Sequence, residues 1–146
     1  MMPPKLQKFM NQNQLFSGMN DNYELSKFAR ATKYLPLEGV NQFTKVHLVS
    51  DGVNHLMQSG GSWLITDCIL YQFYNRPLKG KRFLRCIFHK CSDNYAQDGQ
   101  LQIQDENENI LFKHQYDLSI IEDGTYCFYI VELDKFYVML PSEYHG

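Results

Sequence analysis

The stretch from Trp63 to Tyr74 constrains this chain more than any other. Trp63, Leu64, Ile65, Cys68, Ile69, Leu70, Tyr71, Phe73 and Tyr74 put apolar groups on nearly every side of a helix. A helix of that kind is normally buried on most sides, so it is expected to be the central pillar of a core. Its borders are marked. Gly60 and Gly61 precede it, and glycine accepts the left-handed conformation at a helix end cheaply. Ser62 can then cap the helix, and Arg76-Pro77 closes it, because the residue before proline is pushed out of helical geometry.

A shorter helix is expected just before. Ser50 and Asp51 suit a helix start, since short polar side chains accept from the free amides of the first turn. Val53, Leu56 and Met57 follow at i, i+3, i+4, one buried stripe. After residue 76 the apolar period changes from 3.6 to 2. Five strands are readable, at 81–90, 100–105, 110–116, 125–131 and 136–140. Asp98-Gly99, residues 107–109, Asp123-Gly124 and Asp134 supply the turns between them. TKVHLVS (44–50) alternates as a further strand would.

Helices followed by a strand meander predict an α+β fold. Two consecutive helices, about 51–59 and 62–75, would pack on one face of a mostly antiparallel sheet of about five strands in the C-terminal half. Residues 1–22 form a polar, Asn/Gln-rich segment where Leu6, Phe9 and Met10 fit a short helix, and 23–146 form a single α+β domain. A chain of 146 residues buries roughly two-thirds of its extended surface, so it folds without a metal or disulfide. The longest apolar run, around Cys127–Val131, is too short to span a bilayer, and residues 1–14 lack the apolar core of a signal peptide. Cytoplasmic residence is the expectation. Cys68, Cys86, Cys91 and Cys127 form no CxxC and read as reduced, buried thiols.

The segment TKVHLVSDGVNHLMQSGGSWLITDCILYQ, with FYVMLPSEY much later, resembles a small uncharacterised bacterial family, a domain of unknown function. The residues that carry the resemblance are Ser50, Asp51, Gly52 and Val53, then Gly60, Gly61, Trp63, Leu64 and Gln72, then Leu140, Pro141, Ser142 and Glu143. Phe16-Ser17-Gly18 matches the family's opening. The family often has an acid three places after the tryptophan; here Thr66 stands there and Asp67 follows. The resemblance implies a gene of phages, plasmids and other mobile elements, and no known activity.

Several constellations invite chemistry. Ser62 as a nucleophile would need a base within hydrogen-bond reach and an orienter behind it, so capping is the favoured reading. Cys86, His89 and Cys91 lie close in sequence, but a strand alternates faces and points His89 and Cys91 away from Cys86. No metal and no cofactor is expected. Asp67, on a buried helix, needs a partner: His47, His55 or a tyrosine hydroxyl. Gln72 would tie the helix to a loop or strand. Asp105, Glu106, Glu122 and Asp123 read as solvated turn residues.

Charge is the most informative signal. Residues 1–90 carry 12 Lys/Arg against 5 Asp/Glu, whereas 91–146 carry 2 against 11. Arg76, Lys79, Lys81, Arg82 and Arg85 fall within ten residues, with Tyr71, Tyr74 and Phe83 nearby. Such a patch docks on an acidic protein surface or follows a phosphate backbone. A sequence pI near 6.2 argues against a dedicated nucleic-acid binder. The acidic stretches 105–109 and 120–124 would suit a basic protein surface or imitate nucleic acid. The first functional expectation is therefore a non-catalytic cytoplasmic protein that binds a macromolecule, most simply a protein; the mobile-element setting that the resemblance implies points to a host or defence protein. The second is a small-ligand binder or hydrolase with a pocket between helix 63–74 and the sheet, lined by His55, Ser62, Asp67 and Gln72. Nucleic-acid contact through 76–85, and self-association through an aromatic sheet face, complete the set.

Overall fold

A computed structural model describes residues 34–36, 47–92, 98–117 and 120–144. The predicted polar segment 1–22, and residues 44–46 of the predicted strand 44–50, lie outside them. The described chain is α+β. Its sheet has seven strands: β1 Tyr34–Pro36, β2 His47–Ser50, β3 Phe83–Lys90, β4 Gly99–Gln104, β5 Ile110–Tyr116, β6 Gly124–Glu132 and β7 Phe136–Met139. Their spatial order is β1-β2-β7-β6-β3-β4-β5. All neighbours are antiparallel except β2 and β7. The sheet therefore extends beyond the five C-terminal strands expected. Two N-terminal strands join through that parallel pairing, which no short-range signal announces.

The helical region also differs from the expectation. Asp51–Tyr74 is one helical run, with limbs α1 (Asp51–Leu56) and α2 (Ser62–Tyr74) joined by a widened, π-type stretch at Met57–Gly61. The kink sits at Gly60, whose φ of +106° is accessible to glycine and strained for other residues. The glycine pair bends the helix without stopping it. Ser62 consequently has helical backbone angles and caps nothing. Ser50 is the true N-cap: its Oγ accepts from Val53 N at 3.1 Å.

α2 buries Leu64, Ile65, Cys68, Ile69 and Gln72 against the sheet. Leu84, Cys86 and Phe88 of β3, Leu101 and Ile103 of β4, and Phe128 and Ile130 of β6 meet them in the same core. The helix is not the enclosed pillar its composition suggests, since Leu70 is 39% and Tyr74 72% exposed. Its other aromatic residues line the flank: Trp63 packs edge-on to Phe88 and Tyr116, and Tyr71 tilts against Phe112. On the opposite face of the sheet Ile87 and Cys127 are fully buried beneath Tyr129.

One corner joins distant sequence. Glu143 follows β7 in a 3-10 turn and is 3% exposed. It accepts from Ser50 Oγ (2.5 Å), Gly52 N (3.1 Å) and Leu140 N (2.9 Å). The Ser-Asp-Gly-Val and Leu-Pro-Ser-Glu segments thus meet where β2 enters α1 beside the end of β7. Gly52 permits the approach, because a Cβ there would lie 2.7 Å from Glu143 Oε1.

Candidate functional site

The strand alternation of β3 sends Leu84, Cys86 and Phe88 into the core and Phe83, Arg85 and Ile87 to the other face. Phe83 pairs with Val131 and Arg85 with Tyr129 across β6. Tyr144, just past the last 3-10 turn, closes the group. Its ring centroid is 5.6 Å from Phe83 and 5.4 Å from Tyr129, and Phe83 and Tyr129 are 4.8 Å apart. The Arg85 guanidinium lies over the rings of Phe83 (5.6 Å) and Tyr129 (5.5 Å), a cation–π arrangement that fixes its orientation. Arg85 Nη1 also donates to the Asp105 carbonyl at 3.4 Å. Burial raises the Tyr129 hydroxyl above its ordinary value, with Arg85 opposing the shift.

These residues border a groove of about 610 Å³ lined by Gly80, Lys81, Arg82, Phe83, Arg85, Glu106 and Tyr144. Its acidic rim is built rigidly. Asp105 Oδ1 accepts from Asn107 N and Asn109 N, both at 2.9 Å, and its Oδ2 from Asn109 Nδ2 at 3.0 Å. The Asn109 side chain holds the Asp105 carboxyl below its ordinary value, and Lys81 adds to the effect. Arg82 approaches Glu132 at 3.9 Å, but its side chain is 78% exposed and the pair is worth little.

A second, smaller hollow of about 280 Å³ shares Gly80 and Lys81 with the groove and adds Gln72, Phe73, Lys79, Glu132 and Phe136. Of the five basic residues expected to act together, Lys81, Arg82 and Arg85 reach the groove, and Lys79 and Lys81 the hollow. Arg76 is exposed in the 3-10 turn Arg76–Leu78 and lines neither.

The four residues of the alternative pocket do not converge on these two spaces. Only Gln72 lines one of them; its Oε1 accepts from His47 Nε2 at 3.2 Å, tying α2 to β2. Asp67 accepts from Tyr116 Oη at 3.0 Å, and Tyr116 Oη meets Tyr71 Oη at 2.7 Å. Burial, then Tyr71 and Asp67, push the Tyr116 hydroxyl far up, so it keeps the proton that it donates to Asp67. Ser62 is exposed. His55 is half-buried on α1, with its carbonyl accepting from Ser59 Oγ at 2.8 Å. Cys86 faces the core, while His89 on the other face has Nδ1 2.9 Å from Thr125 Oγ1.

Sequence reasoning missed Tyr144 and Glu106 as parts of the groove, and Tyr129 as the ring behind Arg85. Strand parity could have joined Phe83 to Arg85. Nothing local places Tyr144, because its position depends on the 3-10 turn that Glu143 anchors.

Fold and groove together define an α+β protein with a basic, aromatic-walled concave surface beside a rigid acidic turn. The chain belongs to DUF6876, a family of unknown function, which it matches over residues 19–144. No curated protein matches it. A similar fold occurs in the crystal structure of a protein of unknown function from Enterococcus faecalis, at 17% identity and a TM-score of 0.50, covering 75% of this chain and 100% of that one. No described helix is long and apolar enough to cross a membrane.

Proposed function

We propose that this chain is a non-catalytic binding protein that takes an acidic segment of a partner protein in the groove. The carrying observation is that Lys81, Arg82 and Arg85 share one concave wall with Phe83 and Tyr144. Arg85 is already oriented by two rings and the Asp105 carbonyl, so little side-chain freedom is lost when it meets a carboxylate. Lys81 and Arg82 remain available at the rim.

Glu106 decides between partner classes. It lines the same groove, and Glu132 stands beside Arg82. A continuous phosphate backbone would meet repulsion there. A peptide can turn carboxylates toward the cations and a basic residue toward Glu106. The mobile-element setting implied by the family resemblance makes a host or defence protein the natural source of that partner, and cytoplasmic residence goes with it.

The test is capture from a host lysate with the wild-type chain and the Lys81→Glu/Arg82→Glu double variant, at about 0.1 M and about 1 M salt, with and without nuclease. A protein retained by wild type at low salt, resistant to nuclease and lost with the double variant supports the proposal. Retention that ignores salt and charge reversal, or that nuclease abolishes, refutes it.

A further inference from the structure

We infer that the 280 Å³ hollow at the end of α2 is a separate binding site for a small, flat monoanion, an aromatic or arylalkyl carboxylate. This inference does not depend on the groove's having a protein partner.

The hollow has a polar end and an aromatic wall. Gln72 is only 4% exposed, and its single hydrogen bond uses Oε1, accepting from His47 Nε2. Its amide nitrogen takes no part in that bond and is a donor in a side chain that lines the hollow. A ligand oxygen accepts from that donor, and a charged acceptor makes the bond stronger than a neutral one would. Lys79 and Lys81 line the same space and supply positive charge for that oxygen.

The wall is made by Phe73 and Phe136, edge to face with centroids 6.2 Å apart. His47 backs it, stacked on Phe136 at 4.8 Å and edge-on to Phe73 at 5.5 Å. Three rings fixed against one another make a preformed surface, so a flat apolar body binds without rearranging it. Glu132, on the same lining, disfavours a second negative charge and limits the ligand to a monoanion. The volume is near the lower end of small-molecule sites, which run from about 300 Å³ upward, and suits about ten non-hydrogen atoms.

The experiment uses the full chain, labelled with nitrogen-15, titrated with 3-phenylpropanoate, with 3-phenylpropanol as the uncharged match, and with inorganic phosphate. Saturable shifts of the Gln72 side-chain amide and of the 79–81 backbone amides are expected with the carboxylate. The alcohol and phosphate should each bind at least about tenfold more weakly, the loss of one charge-assisted contact or of the apolar body. Lys79→Met is exposed and outside the groove, so it should keep the fold and weaken the carboxylate by a similar factor. Arg82→Glu should leave the carboxylate titration unchanged. Equal binding of acid and alcohol, shifts confined to residues 82–85 and 144, or no saturable shift with the carboxylate would each overturn the assignment. Loss of partner capture by Arg82→Glu alone, with the carboxylate titration intact, would separate the two sites.

Discussion

Gly52→Ala tests the corner that joins α1 to the end of β7. Helix propensity alone favours alanine over glycine there by about 0.5–1 kcal/mol. The packing reverses the sign. The new Cβ would lie 2.7 Å from both Glu143 Oε1 and Leu140 Cδ1, and 2.9 Å from Glu143 Cδ. Carbon contacts are comfortable at about 3.5 Å or more, so Glu143 would retreat by most of an ångström. Its carboxylate would then lose alignment with Ser50 Oγ, Gly52 N and Leu140 N. Overpacking of this kind costs about 1–3 kcal/mol, and the misaligned buried bonds add about 1–2. After subtracting the propensity gain, a loss of about 1–4 kcal/mol is expected. Urea unfolding followed by Trp63 fluorescence measures it. Repeating the substitution in a Glu143→Ala background closes a double-mutant cycle. There the carboxylate obstacle is gone and only the Leu140 side chain must shift, so Gly52→Ala should cost clearly less than in the wild-type background. A Gly52→Ala chain as stable as wild type, or an equal cost in both backgrounds, refutes the reasoning.

Burial raises the Glu143 carboxyl above its ordinary 4.5, with Asp51 adding to the rise while Ser50, Leu140 N and Gly52 N oppose it. A carboxyl raised in the folded state holds its proton more tightly folded than unfolded. Its stabilising contribution is complete below about pH 4.5 and fades as pH climbs through the folded value. Glu143→Gln does not titrate and should flatten that decline; parallel stability curves for the two chains from roughly pH 4 to 8 would contradict this. Tyr116→Phe removes both the donor to Asp67 and the partner of Tyr71, and should cost about 1–3 kcal/mol, more than Tyr71→Phe; a reversed order in urea midpoints would disprove the proposed direction of the chain. Cys68, Cys86 and Cys127 are buried, and burial raises the Cys86 and Cys127 thiols well above their ordinary value. Half-buried Cys91 should therefore be the one thiol that a disulfide reagent titrates rapidly in the native protein, and a second fast equivalent would argue against that burial.

The α+β class, the cap at Ser50, the positive-φ glycine at Gly60 and the five C-terminal strands were legible in the sequence, because each rests on local physics: side-chain periodicity, a short polar acceptor, a residue free to take positive φ. Asp67 and Gln72 were legible as polar groups in need of partners, since burial of an apolar helix demands it, and Tyr116 and His47 proved to be those partners. The partners themselves lie 49 and 25 residues away, so no local pattern could choose them. The parallel register of β2 with β7, the continuity of the helical run, and the delivery of Tyr144 to Phe83 and Arg85 were settled only by tertiary packing. Each depends on contacts between segments that the chain holds far apart until the core closes, and periodicity carries no information about which distant surfaces will meet.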